Sequence, residues 1–174
     1  TIEKYLLLLF KHFSFPVIIS RFANFYGPYQ RLYRVIPLAI HKASKKEKFM
    51  LHGGGTSRRS FIFSEDFCNA IYKMIKFAKI GNCYQFSSKE YISIRKIVEI
   101  IYKKKNLNPK KYIINVKDRP GKDMDYKIFD NDTRKKLNWK NKTSIENGIN
   151  KVIVWYDKYK DKFNKSDENF KIKK

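Results

Sequence analysis

Runs of apolar residues alternate with polar turns along the chain, and their spacing predicts alternating helices and strands. Apolar residues at helical spacing predict a helix over 2–13, and the apolar run that follows predicts a strand over 16–22, covered on both faces of a parallel sheet. Asn24 and the turn Tyr26-Gly27-Pro28 come directly after it. Ligands bind outside the carboxyl ends of strands in open α/β sheets, so this turn is expected to line a ligand crevice.

The rest of the chain continues the alternation with shorter segments. Ser64 and Ser93 are predicted N-caps, and Thr143-Ser144-Ile145-Glu146 is a predicted capping box for the last helix. The sequence therefore predicts an α/β fold, in which the last strand and helix unit of a parallel sheet is followed by a small mixed α/β lobe. The predicted helices cover 33–43, 64–80, 94–101, a short stretch ending at 137 and a last one through 159; the predicted strands cover 49–52, 60–63, 83–86, 113–116 and 126–129.

Size and composition favour a folded cytoplasmic protein. The 174 residues, 43% of them hydrophobic, are enough for one ordinary domain, and no apolar run reaches the ~18 residues that span a bilayer. The two cysteines are too few for a disulfide framework, and Cys68 is interpreted as a small core residue. Because Thr1 is not an initiator Met, the chain is expected to be a fragment or a processed product.

The basic charge has two interpretations. Lys and Arg number 39 against 16 Asp and Glu, a net +23 that by itself favours a polyanion partner. However, 31 of the 39 are Lys, and Lys, Ile, Asn, Tyr and Phe are all products of A/T-rich codons. We therefore attribute much of the charge to genome composition and expect no nucleic-acid partner. A basic module that binds nucleic acid or another polyanion stays as the alternative from a different class.

Five segments, in order, carry a resemblance to a known family. They resemble extended short-chain dehydrogenase/reductases of the NAD-dependent epimerase/dehydratase family, and the segment that begins at Asp118 is most similar to the C-terminal half of dTDP-glucose 4,6-dehydratases. The segments are Arg21-Phe22-Ala23-Asn24-Phe25-Tyr26-Gly27-Pro28; Gly53-Gly54-Gly55 with Arg59-Ser60-Phe61-Ile62 and Asp66; Tyr84-Gln85-Phe86-Ser87; Asp118-Arg119-Pro120-Gly121-Lys122-Asp123 with Tyr126; and Leu137-Asn138-Trp139 with Gly148 and Trp155-Tyr156.

The resemblance implies a division of the chain and a cofactor. Residues 1–32 would be a remnant of the NAD-binding Rossmann domain, 33–161 mainly the substrate-binding lobe, and 162–174 a charged tail. The glycine-rich loop and the catalytic Tyr-x-x-x-Lys pair of the family would lie before Thr1, so no catalytic residue is expected in this chain. We expect it to be inactive alone, and the intact protein to use NAD and to form a homodimer.

The resemblance also implies a set of substrate contacts. A nucleotide-sugar is a diphosphate, and the planar fork of Arg matches phosphate oxygens best. Asn24 would reach the sugar, the phosphate or the nicotinamide, although an Asn there would also serve to satisfy the turn. No metal site is expected. The expected contacts are Asn24, Arg34, Val35, His52, Arg59, Gln85 and Arg119.

The expected function is the substrate-binding part of an NAD-dependent nucleotide-sugar 4,6-dehydratase acting on a dTDP-hexose. Phe25 stands where dTDP-glucose members usually have a second Asn, and Lys122 where they have His, so the substrate is left open. A nucleotide-sugar 4-epimerase or a decarboxylase of the same family is the alternative within this class. A chain that is inert without its missing portion is a third interpretation.

Overall fold

The computed structural model describes residues 2–118, 121 and 123–162, and within them helices and strands alternate as the sequence predicts. Arg119, Lys122 and residues 163–174, which include most of the predicted charged tail, lie outside the described residues. The helices are α1 (Ile2–Phe13), α2 (Val35–Ser44), α3 (Ser64–Phe77), α4 (Ile94–Lys104), α5 (Pro109–Tyr112), α6 (Asn131–Leu137) and α7 (Ile145–Tyr159); the strands are β1 (Ile19–Phe22), β2 (Asn24–Tyr26), β3 (Phe49–His52), β4 (Arg58–Phe63), β5 (Cys83–Phe86), β6 (Tyr91–Ser93), β7 (Ile113–Val116) and β8 (Asp125–Tyr126).

The strands form three small groups that are mostly parallel. Strand β1 pairs in parallel with β5, and β3 pairs in parallel with β7. Strand β4 is central to the third group, since it pairs in parallel with β2 and β8 and antiparallel with β6. Parallel pairs joined by helices, with one antiparallel strand, confirm the predicted α/β class.

A single residue separates the β1–β5 pair from the group of strands around β4. The Ala23 N–H donates to the Phe86 carbonyl at 2.9 Å, which completes the β1–β5 pair. The next residue, Asn24, is already paired with Phe61 of β4. The chain thus passes from one sheet to another at Ala23, and a crevice opens where strands diverge in this way.

Two apolar cores lie on opposite faces of β4. Phe61 and Phe63 pack into the core formed by α2, α4 and α7, whereas Ile62 packs into the core formed by α3, β5 and α6. The side chains of a strand alternate between its faces, so an unbroken apolar run such as Phe61–Phe63 indicates a strand buried on both sides. Strand β4 is therefore held rigidly, and it carries Arg59 at its start.

Strand β1 differs from its prediction in length and burial. It begins at Ile19 rather than at residue 16, because Pro16 has no N–H and the Val17 carbonyl is already bonded to the Gly81 N–H. It is not buried on both faces: Val17 and Ile19 are buried, but Ser20 is exposed. Among the described residues β1 has one neighbouring strand, β5, which accounts for the partial cover.

The helix ends also correct details of the sequence prediction. Helix α3 ends at Phe77 and has no side-chain cap, so Ser64 is not the N-cap that was predicted. Cys68 is exposed rather than in the core, because α3 turns Asp66, Ala70 and Met74 inward at a spacing of four. Ser93 caps α4 as predicted, and the cap of α7 is Ser144, which accepts from the Asn147 N–H.

Candidate functional site

A cleft of about 710 Å³ opens at the point where the chain changes sheets. Its walls come from the β1–β2 junction, the turn before α2, the start of β4 and the segment around β8. Apolar and polar groups alternate on these walls, as is usual for small-molecule sites. Residues that line it include Asn24, Phe25, Gln30, Arg34, Val35, Arg59, Asp123 and Tyr126.

The turn after β2 is fixed by contacts with the starts of α7 and α3. Tyr26 is 1% exposed and its hydroxyl donates to the Ile145 carbonyl at 3.3 Å, so the strand that carries Asn24 is tied to the start of α7. Burial raises the pKa of Tyr26, which keeps this hydroxyl a neutral donor. Gly27 lies so close to the Ser64 side chain that a larger residue would collide with it. Asn24 remains exposed on the cleft wall.

Arg59 is the best positioned cation in the cleft. It is half-buried, and its guanidinium donates to the Arg58 carbonyl at 2.9 Å and to the Asp123 carbonyl at 2.6 Å. These two bonds use two of its five N–H donors and fix the plane of the fork. A planar fork with donors to spare is suited to a phosphate oxygen pair.

Arg34 supplies a second cation from another element. It precedes α2, has extended backbone geometry and is exposed on the cleft wall beside Val35. Two guanidinium groups that come from separate elements and face one cleft make it attractive to an anion. The sequence prediction brought Asn24, Arg34, Val35 and Arg59 forward, and the structure places all four around the same cleft.

His52 lies in a neighbouring groove of about 340 Å³. Tyr33, Val35 and Ile94 line both the groove and the cleft, so the two lie side by side. The groove is mostly apolar, and the His52 Nδ1 lies 3.1 Å from the Lys117 carbonyl. A flat apolar ligand group would fit there beside a diphosphate in the cleft.

One predicted contact lies away from the cleft, and another falls outside the described residues. Gln85 lies on β5 and lines a separate depression of about 220 Å³ with Thr133, whose hydroxyl accepts from the Gln85 N–H at 2.9 Å. Arg119 lies outside the described residues, so its place in the site stays a prediction.

The structure adds cleft residues that were not among the predicted contacts. Gln30 donates to the Phe25 carbonyl at 2.9 Å and so holds the turn against the cleft. Asp123 and Tyr126 are brought there because β8 pairs with β4, with Tyr126 opposite Arg59. Two features of the sequence could have identified these residues. Gln30 lies two residues after Pro28, and Tyr126 lies in the segment that begins at Asp118.

The glycine-rich turn Gly53–Gly55 is a poor phosphate cradle. A side chain at Gly53 would collide with the Asp118 carboxylate, and the Gly54 carbonyl is occupied by the Arg95 Nε at 2.8 Å. A phosphate loop needs converging N–H groups without a carboxylate nearby. Within residues 2–118, 121 and 123–162, no group of three or more His, Cys, Asp or Glu is placed to hold a metal ion, and no helix is both long and apolar enough to cross a membrane.

Parallel strand pairs joined by helices, with a crevice where the chain passes from one sheet to another, are typical of the Rossmann-type α/β class. A family model described as the NAD dependent epimerase/dehydratase family matches residues 1–85. The chain belongs to this family.

Two relatives that the chain resembles are 4,6-dehydratases. The chain is 31% identical over 152 residues to dTDP-glucose 4,6-dehydratase of Escherichia coli. The alignment covers 83% of the chain and 42% of that enzyme. It is also 31% identical over 146 residues to a trifunctional UDP-glucose 4,6-dehydratase, epimerase and reductase of Arabidopsis thaliana, covering 84% of the chain and 22% of that protein.

A solved structure of a relative has the same fold. The dTDP-glucose 4,6-dehydratase of Bacillus anthracis, in complex with NAD, superposes with a TM-score of 0.86 and 29% identity over 91% of the chain and 50% of that enzyme. The chain thus spans half or less of the length of these relatives.

Proposed function

We propose that this chain is the nucleotide-sugar-binding portion of an NAD-dependent 4,6-dehydratase and that its ligand is a dTDP-hexose. The observation that carries the proposal is the meeting of Asn24, Arg34 and Arg59 around one cleft at the strand switch point. Residues 33–161 would be mainly the substrate-binding lobe, with some strands and helices that return to the NAD-binding domain, and 1–32 would belong with that domain.

Each wall of the site has a part in this proposal. Arg59 and Arg34 bind the diphosphate, whose two phosphates need two cations with defined directions. The base lies in the groove by His52, where apolar side chains exclude water from its faces. The hexose then lies on the Asn24 side, where the amide both donates and accepts.

The described residues of this chain would form only one edge of an NAD site. Asn24 offers an amide at the switch point, but the described residues hold no glycine-rich turn suited to the cofactor diphosphate. NAD, when bound, supplies the hydride acceptor for oxidation at the sugar C4. The residues described here would bind and orient the sugar, and the Tyr and Lys that move protons are expected before Thr1.

The proposal is tested by incubating the chain, and separately the longer protein that contains it, with NAD and dTDP-glucose. Loss of one water from the sugar, followed by mass spectrometry, is expected for the longer protein alone. Product from the chain by itself would contradict the prediction that its catalytic pair is missing. Interconversion of UDP-hexoses without loss of water would replace the dehydratase proposal with the epimerase alternative.

A further inference from the structure

The end of the molecule opposite the cleft gathers an unusual number of lysines. We define this lysine-rich end as residues 42–48, 102–112 and 157–162. These 24 residues contain 12 Lys and three acidic residues, whereas the other 150 contain 19 Lys. Codon composition raises Lys everywhere, so it does not explain a concentration of one residue in two.

Three helices bring these segments together. The Tyr102 hydroxyl at the end of α4 donates to the Glu47 carbonyl after α2 at 2.8 Å, and Lys105 donates to Asp157 at the end of α7 at 2.6 Å. Strands β3 and β7 pair with Phe49 opposite Ile113, which brings the residues just before them together. Segments far apart in sequence thus form one surface.

The lysine-rich end is separate from the cleft. Helices α2 and α4 start beside the cleft, at Val35 and Ile94, and end at the lysine-rich end. Helices of 10 and 11 residues are about 15 Å long at a rise of 1.5 Å per residue. A ligand that fills the cleft and the His52 groove would reach only Lys42 of this surface, because Lys42 lines that groove.

Helix stabilisation accounts for some of these lysines. The C-caps of α2, α4 and α7 are Lys45, Lys105 and Lys160, where a positive charge complements the helix dipole. It does not account for Lys48, which lies beyond the C-cap of α2, or for Lys110 and Lys111, which lie in α5, a single turn too short to have a sizeable dipole.

Most of these lysines form no ion pair with another described residue. Lys42 pairs with Glu47 at 3.1 Å, and Lys105 with Asp157. In the described part of the chain, no ion pair is made by the following lysines, all but Lys104 of which are exposed: Lys45, Lys46, Lys48, Lys103, Lys104, Lys110 and Lys111.

We propose that the lysine-rich end binds the phosphate backbone of duplex nucleic acid without reading its sequence. Like charges held together repel, and the phosphates of a polyanion neutralise them. Release of the counterions condensed on the polyanion adds to the free energy of binding. None of the large apolar side chains exposed in the described structure lies in the three segments, where Tyr102 is buried and Tyr112 and Tyr159 are half-buried. The surface therefore presents no fully exposed ring to stack on bases and no apolar patch to insert among lipid tails. Contact through lysine and phosphate alone fits a duplex backbone. This inference is independent of the proposed function of the cleft.

The test is fluorescence anisotropy of the chain with a labelled DNA duplex of about 20 base pairs, at salt from about 50 to about 200 mM. The test variant carries Lys48→Gln, Lys103→Gln, Lys110→Gln and Lys111→Gln. Removing four phosphate contacts should flatten the slope of log affinity against log salt by about 3 to 4 and weaken binding at least about tenfold. Removing repulsion should leave the melting temperature equal or higher, which checks the fold.

The control variant removes the same charge elsewhere, at exposed lysines that form no ion pair within the described structure: Lys79, Lys135, Lys136 and Lys140. It should lose less than about threefold in affinity. Equal losses in the two variants, or a wild-type slope shallower than about −3, would overturn the proposal.

Two further experiments distinguish binding at the lysine-rich end from binding in the cleft and from binding to a membrane. Excess dTDP should leave DNA bound, and displacement by dTDP would overturn the proposal by placing the DNA in the cleft. Vesicles of phosphatidylserine and phosphatidylcholine should bind weakly. Tighter binding to vesicles than to DNA, lost in the test variant, would overturn it in favour of a membrane surface.

Discussion

The two ends of α2 and α4 both carry positive charge, but they present it differently. At the cleft, the Arg59 guanidinium is held by two backbone carbonyls, and its direction is fixed. At the other end, Lys48, Lys103 and Lys110 are exposed side chains whose ammonium groups have no partner among the described residues. A fixed fork selects a ligand of defined shape, whereas mobile point charges attract any dense anion. Net charge alone does not distinguish these two uses.

The largest expected effect comes from removing the support beneath the cleft. Tyr26 packs on Phe61 and Phe63 and lies against Gly148, so Tyr26→Ala should cost about 3–5 kcal/mol in the free energy of unfolding. Urea denaturation measures it. The control Tyr26→Phe removes the hydroxyl bond alone and should cost about 1 kcal/mol. Equal costs for both variants would show that the ring is not what holds the cleft wall.

A smaller effect is expected from Arg34, and it should separate the two ends. Arg34→Ala removes one exposed cleft cation and should weaken dTDP binding about tenfold, since a charge-assisted hydrogen bond contributes about 1.5 kcal/mol. Binding of duplex DNA should not change. Arg31→Ala is the matched control, because Arg31 is exposed three residues earlier and does not line the cleft. A loss of DNA binding equal to the loss of dTDP binding would mean that the two ends are not separate sites.

The smallest expected effect is a loss of folding stability at alkaline pH, to which one buried tyrosine at each end contributes. Burial raises the pKa of Tyr26 below the cleft and of Tyr102 at the lysine-rich end. Unfolded tyrosine titrates near pH 10, so stability is complete below about pH 10 and is lost as the pH rises, by up to about 1.4 kcal/mol per pH unit for each group.

Urea denaturation between about pH 8 and pH 11 checks this prediction. Tyr102→Phe should remove the part of the loss that comes from the lysine-rich end. Tyr72→Phe removes an exposed hydroxyl and should leave the loss as it is. An unchanged loss in Tyr102→Phe would assign the alkaline effect to other groups.

Local patterns predicted the cleft better than its surroundings. The turn Tyr26-Gly27-Pro28 after an apolar run located the crevice, because strand ends meet ligands in any α/β sheet. Arg59 was expected from the family resemblance that its segment carries, and the rigidity of β4 agrees with the unbroken apolar run Phe61–Phe63. Patterns of this kind depend on a few neighbouring residues.

The features that the sequence did not predict depend on which helices and strands pack against each other. Gln85 was expected with the substrate contacts, but β5 and α6 place it over a separate depression. Cys68 was taken as buried because α3 is apolar, yet the buried face is set by Asp66, which accepts the N–H groups of Lys142 and Thr143. The lysine-rich end was invisible in the sequence, since its three segments join only through packing.

The most direct test of the account is calorimetric titration of the chain with dTDP, beside Arg59→Ala and Arg58→Ala. These neighbours on β4 differ in that Arg59 lines the cleft, whereas Arg58 lies over the Tyr91 ring and donates to the Tyr91 carbonyl. We predict saturable binding that weakens at least about tenfold in Arg59→Ala and stays unchanged in Arg58→Ala. Binding that is absent, or that falls equally in both variants, would contradict a diphosphate site in the cleft.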